Sequence, residues 1–182
     1  MEARPRLSAV MSSSENIDQL ALRKWITAGL QIDEVREMNG DAGYLLSNMI
    51  AKYTLASSRY RLSAEAFSWF HSRGIDLMKE YARSRYYGKN SAVMYEHSIP
   101  SNTVRTVFLS QDPTESSVRS VLQSAGEVVV VMRDEDERLA SIGLAKKMPE
   151  GWEYGDDPHA RYAKAGIQLS DSFLRVKGKI KR

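Results

Sequence analysis

The chain has 182 residues, the size of one domain or two small ones, and 42% of them are hydrophobic, which is enough for a substantial core. A net charge of +3 and a pI near 9.1 permit nucleic-acid binding without requiring it. Cysteine is absent, which excludes disulfides, iron–sulfur clusters, thiol catalysis and cysteine-ligated zinc, and suits a cytoplasmic location. No apolar run approaches the roughly 18 residues of a membrane-spanning helix, and residues 1–11 lack the apolar core of a secretory signal, so we predict no membrane association.

The first half of the sequence predicts helices. Residues 1–12 read as a loose arm, and Ser12 with Glu15 fits a capping box at the start of the first helix. Apolar residues then recur at a helical period. The expected helices cover about residues 17–26, 33–38, 46–58 and 63–81.

A basic and aromatic stretch lies at residues 79–89. Its candidate nucleic-acid-binding residues are Arg83, Arg85, Tyr86 and Lys89, because cations neutralise phosphates and a tyrosine ring can stack on an unpaired base. The alternative is a solvated helix end, where the helix dipole favours cations. Both interpretations stay open from the sequence.

The helical period stops near residue 92. Residues 92–95 predict a short strand that places Glu96 and His97 at its end. The run of four valines within residues 127–132 predicts a strand that is covered on both faces. The other elements expected here are helices at residues 103–109, 113–125, 134–147 and 158–165 and an edge strand at 167–169.

The acidic segment at residues 134–137 has two interpretations. Asp134 and Glu137 fit a capping box, and acidic side chains stabilise the N-terminus of a helix. Alternatively, Asp134 or Asp136 holds a divalent metal ion, since hard cations prefer oxygen ligands. Further along, His159 and Arg161 could contact a phosphate if the last helix folds over the first strand.

The fold class predicted from these elements is α+β and mainly helical. A helical N-terminal half would be followed by a small sheet that carries a ββα-like unit with inserted helices. The expected regions are residues 1–90, helical with a loose N-terminal arm; residues 91–170, an α+β region that carries the site; and residues 171–182, a basic tail that either binds nucleic acid or aids solubility.

The motif Glu96-His97-Ser98-Ile99-Pro100 has an acid followed directly by histidine, two further residues and proline. This motif on a strand, with a second strand that runs into a helix, resembles the His-Me finger (HNH-type) endonucleases, whose site is a ββα metal unit. The resemblance covers residues 93–147 at most. Two helices would be inserted between the strands, and the family's usual asparagine and zinc-binding cysteines are missing.

The resemblance implies a metal-dependent nuclease that hydrolyses phosphodiester bonds in DNA or RNA. His97 would be the general base that activates water, and Glu96 with Asp134 or Asp136 would hold Mg²⁺ or Mn²⁺. Arg161 or His159 would clamp a phosphate.

Two other functions fit the residues as well. One is a non-catalytic regulator or inhibitor of the phage or plasmid type, which binds nucleic acid or a protein partner without turnover. The other is a homo-oligomeric structural domain, with the helices of the first half as the interface. A salt-dependent affinity would indicate nucleic acid as the partner.

Overall fold

The computed structural model describes residues 15–37 and 40–177, except for the side chains of residues 40–43. Helices and a five-stranded sheet alternate along the chain, which confirms the α+β class. The helices are α1 Ile17–Leu30, α2 Asp33–Arg36, α3 Gly40–Leu55, α4 Ala64–Ser72, α5 Ser101–Leu109, α6 Glu115–Gln123, α7 Arg133–Ser141 and α8 Ala160–Lys164, with a 3-10 helix at Arg83–Tyr86. The strands are β1 Arg59–Ser63, β2 Tyr81–Ala82, β3 Val93–His97, β4 Val128–Met132 and β5 Leu169–Lys177.

The strand order in the sheet is β2-β5-β1-β4-β3. Strands β1 and β4 are parallel, whereas β5 is antiparallel to β1 and β3 is antiparallel to β4. The valine strand β4 is covered on both faces, as predicted. Val128 and Val130 pack with Tyr60 and Phe70 on one face, and the alternate valines pack on the other face with Tyr162 and Leu139.

A separate helical layer packs at one side of the sheet. Helices α1, α3, α5 and α6 bury a common core that includes Ile26, Ile50, Phe108 and Leu122. The capping residue of α1 is Asn16, whose side chain accepts from the backbone of Gln19, while the Gln19 side chain bonds back. The predicted cap Ser12 lies outside the described residues.

Three sequence predictions need correction. The helix expected through residue 81 ends at Ser72, because the chain turns at Gly74, whose φ of +62° is a conformation that glycine adopts readily. The helix expected to reach residue 147 ends at Ser141, before Gly143 with its φ of +74°.

The third correction concerns the basic tail. Residues 171–177 belong to β5, which lies inside the sheet between β2 and β1. The predicted helical region 1–90 also supplies a central strand, β1. The sheet therefore takes strands from all three predicted regions. No helix in the part of the chain that the structure describes is long and apolar enough to cross a membrane.

Candidate functional site

Glu96 and His97 point to opposite faces of the sheet, because side chains alternate along a strand. His97 lies on the same face as Tyr95, where its Nδ1 is 2.7 Å from Oγ1 of Thr54 on α3. Glu96 lies on the other face, where its Oε2 accepts a 2.7 Å hydrogen bond from Nη2 of Arg161. Although Glu96 and His97 are adjacent in the motif, their side chains therefore do not lie in one site.

The imidazole of His97 is in a site that keeps it neutral. Burial lowers its pKa to about 4, and the positive charges of Arg161 and Lys52 act in the same direction. A neutral ring can accept a proton, but a base with such a low pKa is a poor acceptor near neutral pH.

Arg161 is a buried structural residue, with 1% of its surface exposed. Besides Glu96, its guanidinium donates to the backbone oxygens of Leu144, Ala145 and His97 at 2.9, 3.1 and 2.7 Å. These bonds join α8 to the end of β3 and to the loop after α7. The phosphate clamp at Arg161 stays a prediction, and the burial of this side chain among protein partners gives it no support.

Glu96 shares this buried network. Burial raises the pKa of the Glu96 carboxyl, the ion pair with Arg161 lowers it, and nearby Asp136 raises it further, with a net upward shift. The carboxylate keeps 21% of its side-chain surface exposed and is paired with Arg161.

The acidic segment begins α7. Asp134 is exposed, and Asp136 is half-buried on the side of Glu96, where burial raises its pKa. The capping side chain is that of Glu135. Its Oε2 accepts hydrogen bonds from the backbone N–H of Met132, at 2.8 Å, and from the Ser63 hydroxyl. Within residues 15–37 and 44–177, no three His, Asp or Glu side chains are grouped so that they could hold a metal ion. The Mg²⁺ or Mn²⁺ site stays a prediction.

His159 belongs to a third arrangement, centred on Glu127. Its Nε2 lies 2.9 Å from Oε1 of Glu127, and Nε of Arg61 donates to the same oxygen. Burial alone would raise the pKa of Glu127, but the hydrogen bonds of His159 and Arg61 outweigh it, and the pKa is lowered. His159 thus helps to hold a carboxylate in place.

The basic stretch at residues 83–89 forms the 3-10 helix and the loop after it. Arg85 and Lys89 are exposed. Tyr86 is half-buried, and its ring packs edge-on against Phe70 at a centroid distance of 5.0 Å. Arg83 is half-buried near Tyr60. This stretch offers exposed cations, but the ring of Tyr86, the residue predicted to stack on a base, is used for packing.

Sequence reasoning missed a basic surface on the sheet. On the face that carries Glu96, the segments of residues 133–167 cover β3, β4 and the Leu169 end of β5, but leave the Arg59 end of β1 and the rest of β5 exposed to solvent. We call this open area the basic half-sheet, and it consists of Arg59, Arg61, Phe173, Arg175 and Lys177.

The cations of the basic half-sheet are only partly neutralised. Arg59 stands directly opposite Arg175 in the β1–β5 pair, and both are exposed. Neither makes an ion pair with any residue that the structure describes. Arg61 pairs with Glu127, and its Nη1 lies 3.6 Å from Asp171. Like charges directly opposite each other destabilise a sheet, so the Arg59–Arg175 pair costs stability.

Phe173 lies among these cations. The guanidinium carbons of Arg59 and Arg61 are 4.1 and 4.7 Å from the centre of its ring. A signal for this surface exists in the sequence, because cations alternate with apolar residues in both 59–62 and 174–177. Such a period of two predicts a strand with one basic face.

Five large apolar side chains of the helical layer are exposed. They are Ile17, Trp25, Ile32, Tyr44 and Leu45. The predicted oligomer interface on the first-half helices stays a prediction. Comparisons of the chain with protein-family models, with curated proteins and with solved structures gave no match.

Proposed function

We propose that this protein binds nucleic acid through the basic half-sheet, without turnover. The observation that carries this proposal is the exposed pair Arg59 and Arg175, which face each other across two strands with no described acidic partner. A phosphate backbone would relieve that repulsion, since each phosphate neutralised by Arg or Lys releases condensed counterions. We further propose a cytoplasmic location.

The shape of the surface supports the same function. Strands β1 and β5 pair over most of their length, so they present the cations on a firm sheet rather than on a loop. Lys177 extends the row of charge along β5, and Arg61 is held at its centre by Glu127. An aromatic ring in the middle of the row gives a base a surface on which to stack.

The nuclease function has less support. Its proposed base and metal ligand, His97 and Glu96, lie on opposite faces, and the intended phosphate clamp Arg161 is buried. Hydrolysis would need these groups within a few ångströms of one phosphate. The nuclease therefore stays a prediction from the resemblance.

The test is fluorescence anisotropy with labelled oligonucleotides at 50 to 200 mM salt. We expect the double variant Arg59→Gln/Arg175→Gln to bind more weakly, because two phosphate contacts are lost. The slope of log affinity against log salt should fall by about 1.4 with a single strand, since each contact contributes about 0.7.

The matched control is Lys24→Gln/Lys52→Gln, which removes the same charge from exposed sites on α1 and α3. An equal loss of affinity in both double variants would show that net charge alone attracts the nucleic acid, and would contradict the proposal. Absence of binding by the unmodified protein would contradict it too.

A cleavage assay separates the two functions. Plasmid DNA and total RNA are incubated with the protein and Mg²⁺, Mn²⁺ or a chelator, beside His97→Ala. We expect binding without cleavage. Metal-dependent cleavage that disappears in His97→Ala would restore the nuclease.

A further inference from the structure

We infer that the ligand of the basic half-sheet is a single strand, one unpaired base of which enters a cleft beside Phe173. This inference rests on the proposed function and specifies the class of nucleic acid that the same site takes.

The cleft lies between β5 and the loop that precedes β2. Its volume is about 490 Å³, within the range of about 300–1,000 Å³ typical of ligand pockets. The loop is fixed to the strand by a 3.4 Å hydrogen bond from the backbone N–H of Arg175 to the oxygen of Leu77. This bond precedes the pairing of β2 with β5, so backbone contacts position one wall of the cleft.

The walls of the cleft combine apolar and charged groups. Phe173, Leu77 and Met78 form the apolar part, and Met78 has 68% of its surface exposed. Arg59 and Arg175 lie at the same opening. A flat apolar ring with an attached phosphate matches this combination, because the ring can pack on Phe173 while the phosphate meets the two cations.

Asp171 also lines the cleft, and its charge opposes a phosphate. The same carboxylate can accept hydrogen bonds from the exocyclic amino group of adenine, cytosine or guanine. Because the cleft has a carboxylate beside its cations, it fits a nucleotide, which has both a base and a phosphate, better than it fits a phosphate alone.

Only an unpaired base can use such a cleft. In a duplex, the faces of each base are covered by its stacked neighbours and its pairing edge is occupied, so the outer surface offers phosphates and groove edges. A base that has left the stack can take the place of a guanidinium on Phe173 or stack on that guanidinium. Both arrangements need the aromatic ring.

The test compares a labelled 12-nucleotide single strand with its duplex at one salt concentration, using the full chain and Phe173→Leu. Leucine keeps an apolar side chain but removes the aromatic face. We expect at least a fivefold loss of affinity for the single strand, since base–aromatic stacking contributes roughly 5- to 150-fold per base. The duplex affinity should change less than twofold.

Two further measurements make the outcome specific. A 2-aminopurine placed in the single strand should lose fluorescence on binding to the unmodified protein and much less on binding to Phe173→Leu. Met78→Gln changes an exposed wall of the cleft without changing charge, and should weaken single-strand binding alone. Circular dichroism checks that Phe173→Leu folds. If this variant does not fold, the single-strand affinity of Met78→Gln provides the test of the cleft.

The outcomes separate this inference from the proposed function. Equal affinities for single strand and duplex, or an unchanged single-strand affinity in both variants, would overturn the single-strand site while leaving a nucleic-acid-binding protein. Absence of binding to either ligand would overturn the proposed function, and the single-strand site with it.

Discussion

The guanidinium of Arg161 and the carboxylate of Glu96 form an ion pair of 2.7 Å in which the arginine is almost fully buried. The pair links helix α8 to strand β3, which are 65 positions apart in sequence at these two residues. A buried charge that loses its partners retains its desolvation penalty, so the integrity of this pair matters more to stability than its attraction alone suggests.

Arg161→Met should therefore destabilise the protein strongly. The substitution leaves the partly buried Glu96 without its cation and three backbone oxygens without their donor, and we expect a loss of about 3–5 kcal/mol in the free energy of unfolding. Urea denaturation measures this. The control is Arg138→Met, since Arg138 pairs with Glu65 at the surface, and this change should cost less than about 1 kcal/mol. Similar losses in both variants would contradict the structural role of Arg161.

The lowered pKa of His97 predicts a pH dependence of stability. The unfolded chain takes up a proton at this residue near pH 6.5, whereas the folded protein does so only near pH 4. The free energy of unfolding should therefore fall as the pH is lowered through this window, and His97 should add no further loss below it. The contribution is at most about 3 kcal/mol, since one pKa unit corresponds to about 1.4 kcal/mol.

The measurement is urea denaturation at several pH values for the unmodified protein and for His97→Gln. The difference between the two curves isolates this residue from the other titrating groups. A difference that does not change between pH 7 and pH 4 would show that the ring of His97 titrates normally.

Gly126 should be intolerant of a side chain. Its φ is +80°, and a Cβ at this position would lie 2.1 Å from Oγ of Ser98. That oxygen accepts a hydrogen bond from the backbone N–H of Glu127. Gly74→Ala is the control. Gly74 has a φ of +62°, so alanine there causes similar backbone strain, but no other atom lies within 4 Å of the added Cβ. We expect Gly74→Ala to lose about 1–2 kcal/mol and Gly126→Ala a further 1–3 kcal/mol or more. Equal losses in thermal or urea unfolding would show that Ser98 can move away without cost.

Glu127 should limit nucleic-acid affinity, because it neutralises Arg61 within the basic half-sheet. Glu127→Gln should raise the affinity and steepen its salt slope by about 0.7 for a single strand, as one more cation becomes available to a phosphate. Anisotropy titrations measure both quantities. Glu137→Gln makes the same charge change at an exposed site on α7, and an equal gain there would show that the position of the charge is unimportant.

Local signals in the sequence predicted much of the fold. The helix predicted at residues 113–125 is α6, although it begins only at Glu115, with Thr114 as its cap, and the valine run marks β4, because capping and β-branched residues act on neighbouring backbone. Strand β1 was missed although its cations and apolar residues alternate, because so short a run lies between two helical segments and its partners β4 and β5 come from far along the chain.

The candidate site was harder to predict than the fold. The adjacency of Glu96 and His97 in sequence suggested a shared site, but a strand separates neighbours onto opposite faces. The basic half-sheet depends on which helices cover the sheet. No local pattern shows that the segments of residues 133–167 cover β3 and β4 and leave Arg59 and Arg175 open.

The interior place of β5 affects synthesis of the protein. A nascent chain that has left the ribosome only as far as residue 168 carries β1 with one edge unpaired, since β5 is its partner there. Exposed edges of this kind recruit strands from other molecules. Until Leu169–Lys177 emerges, this edge of β1 is therefore open to pairing with other molecules, and we expect a premature stop in that segment to yield an aggregation-prone product rather than a smaller working protein.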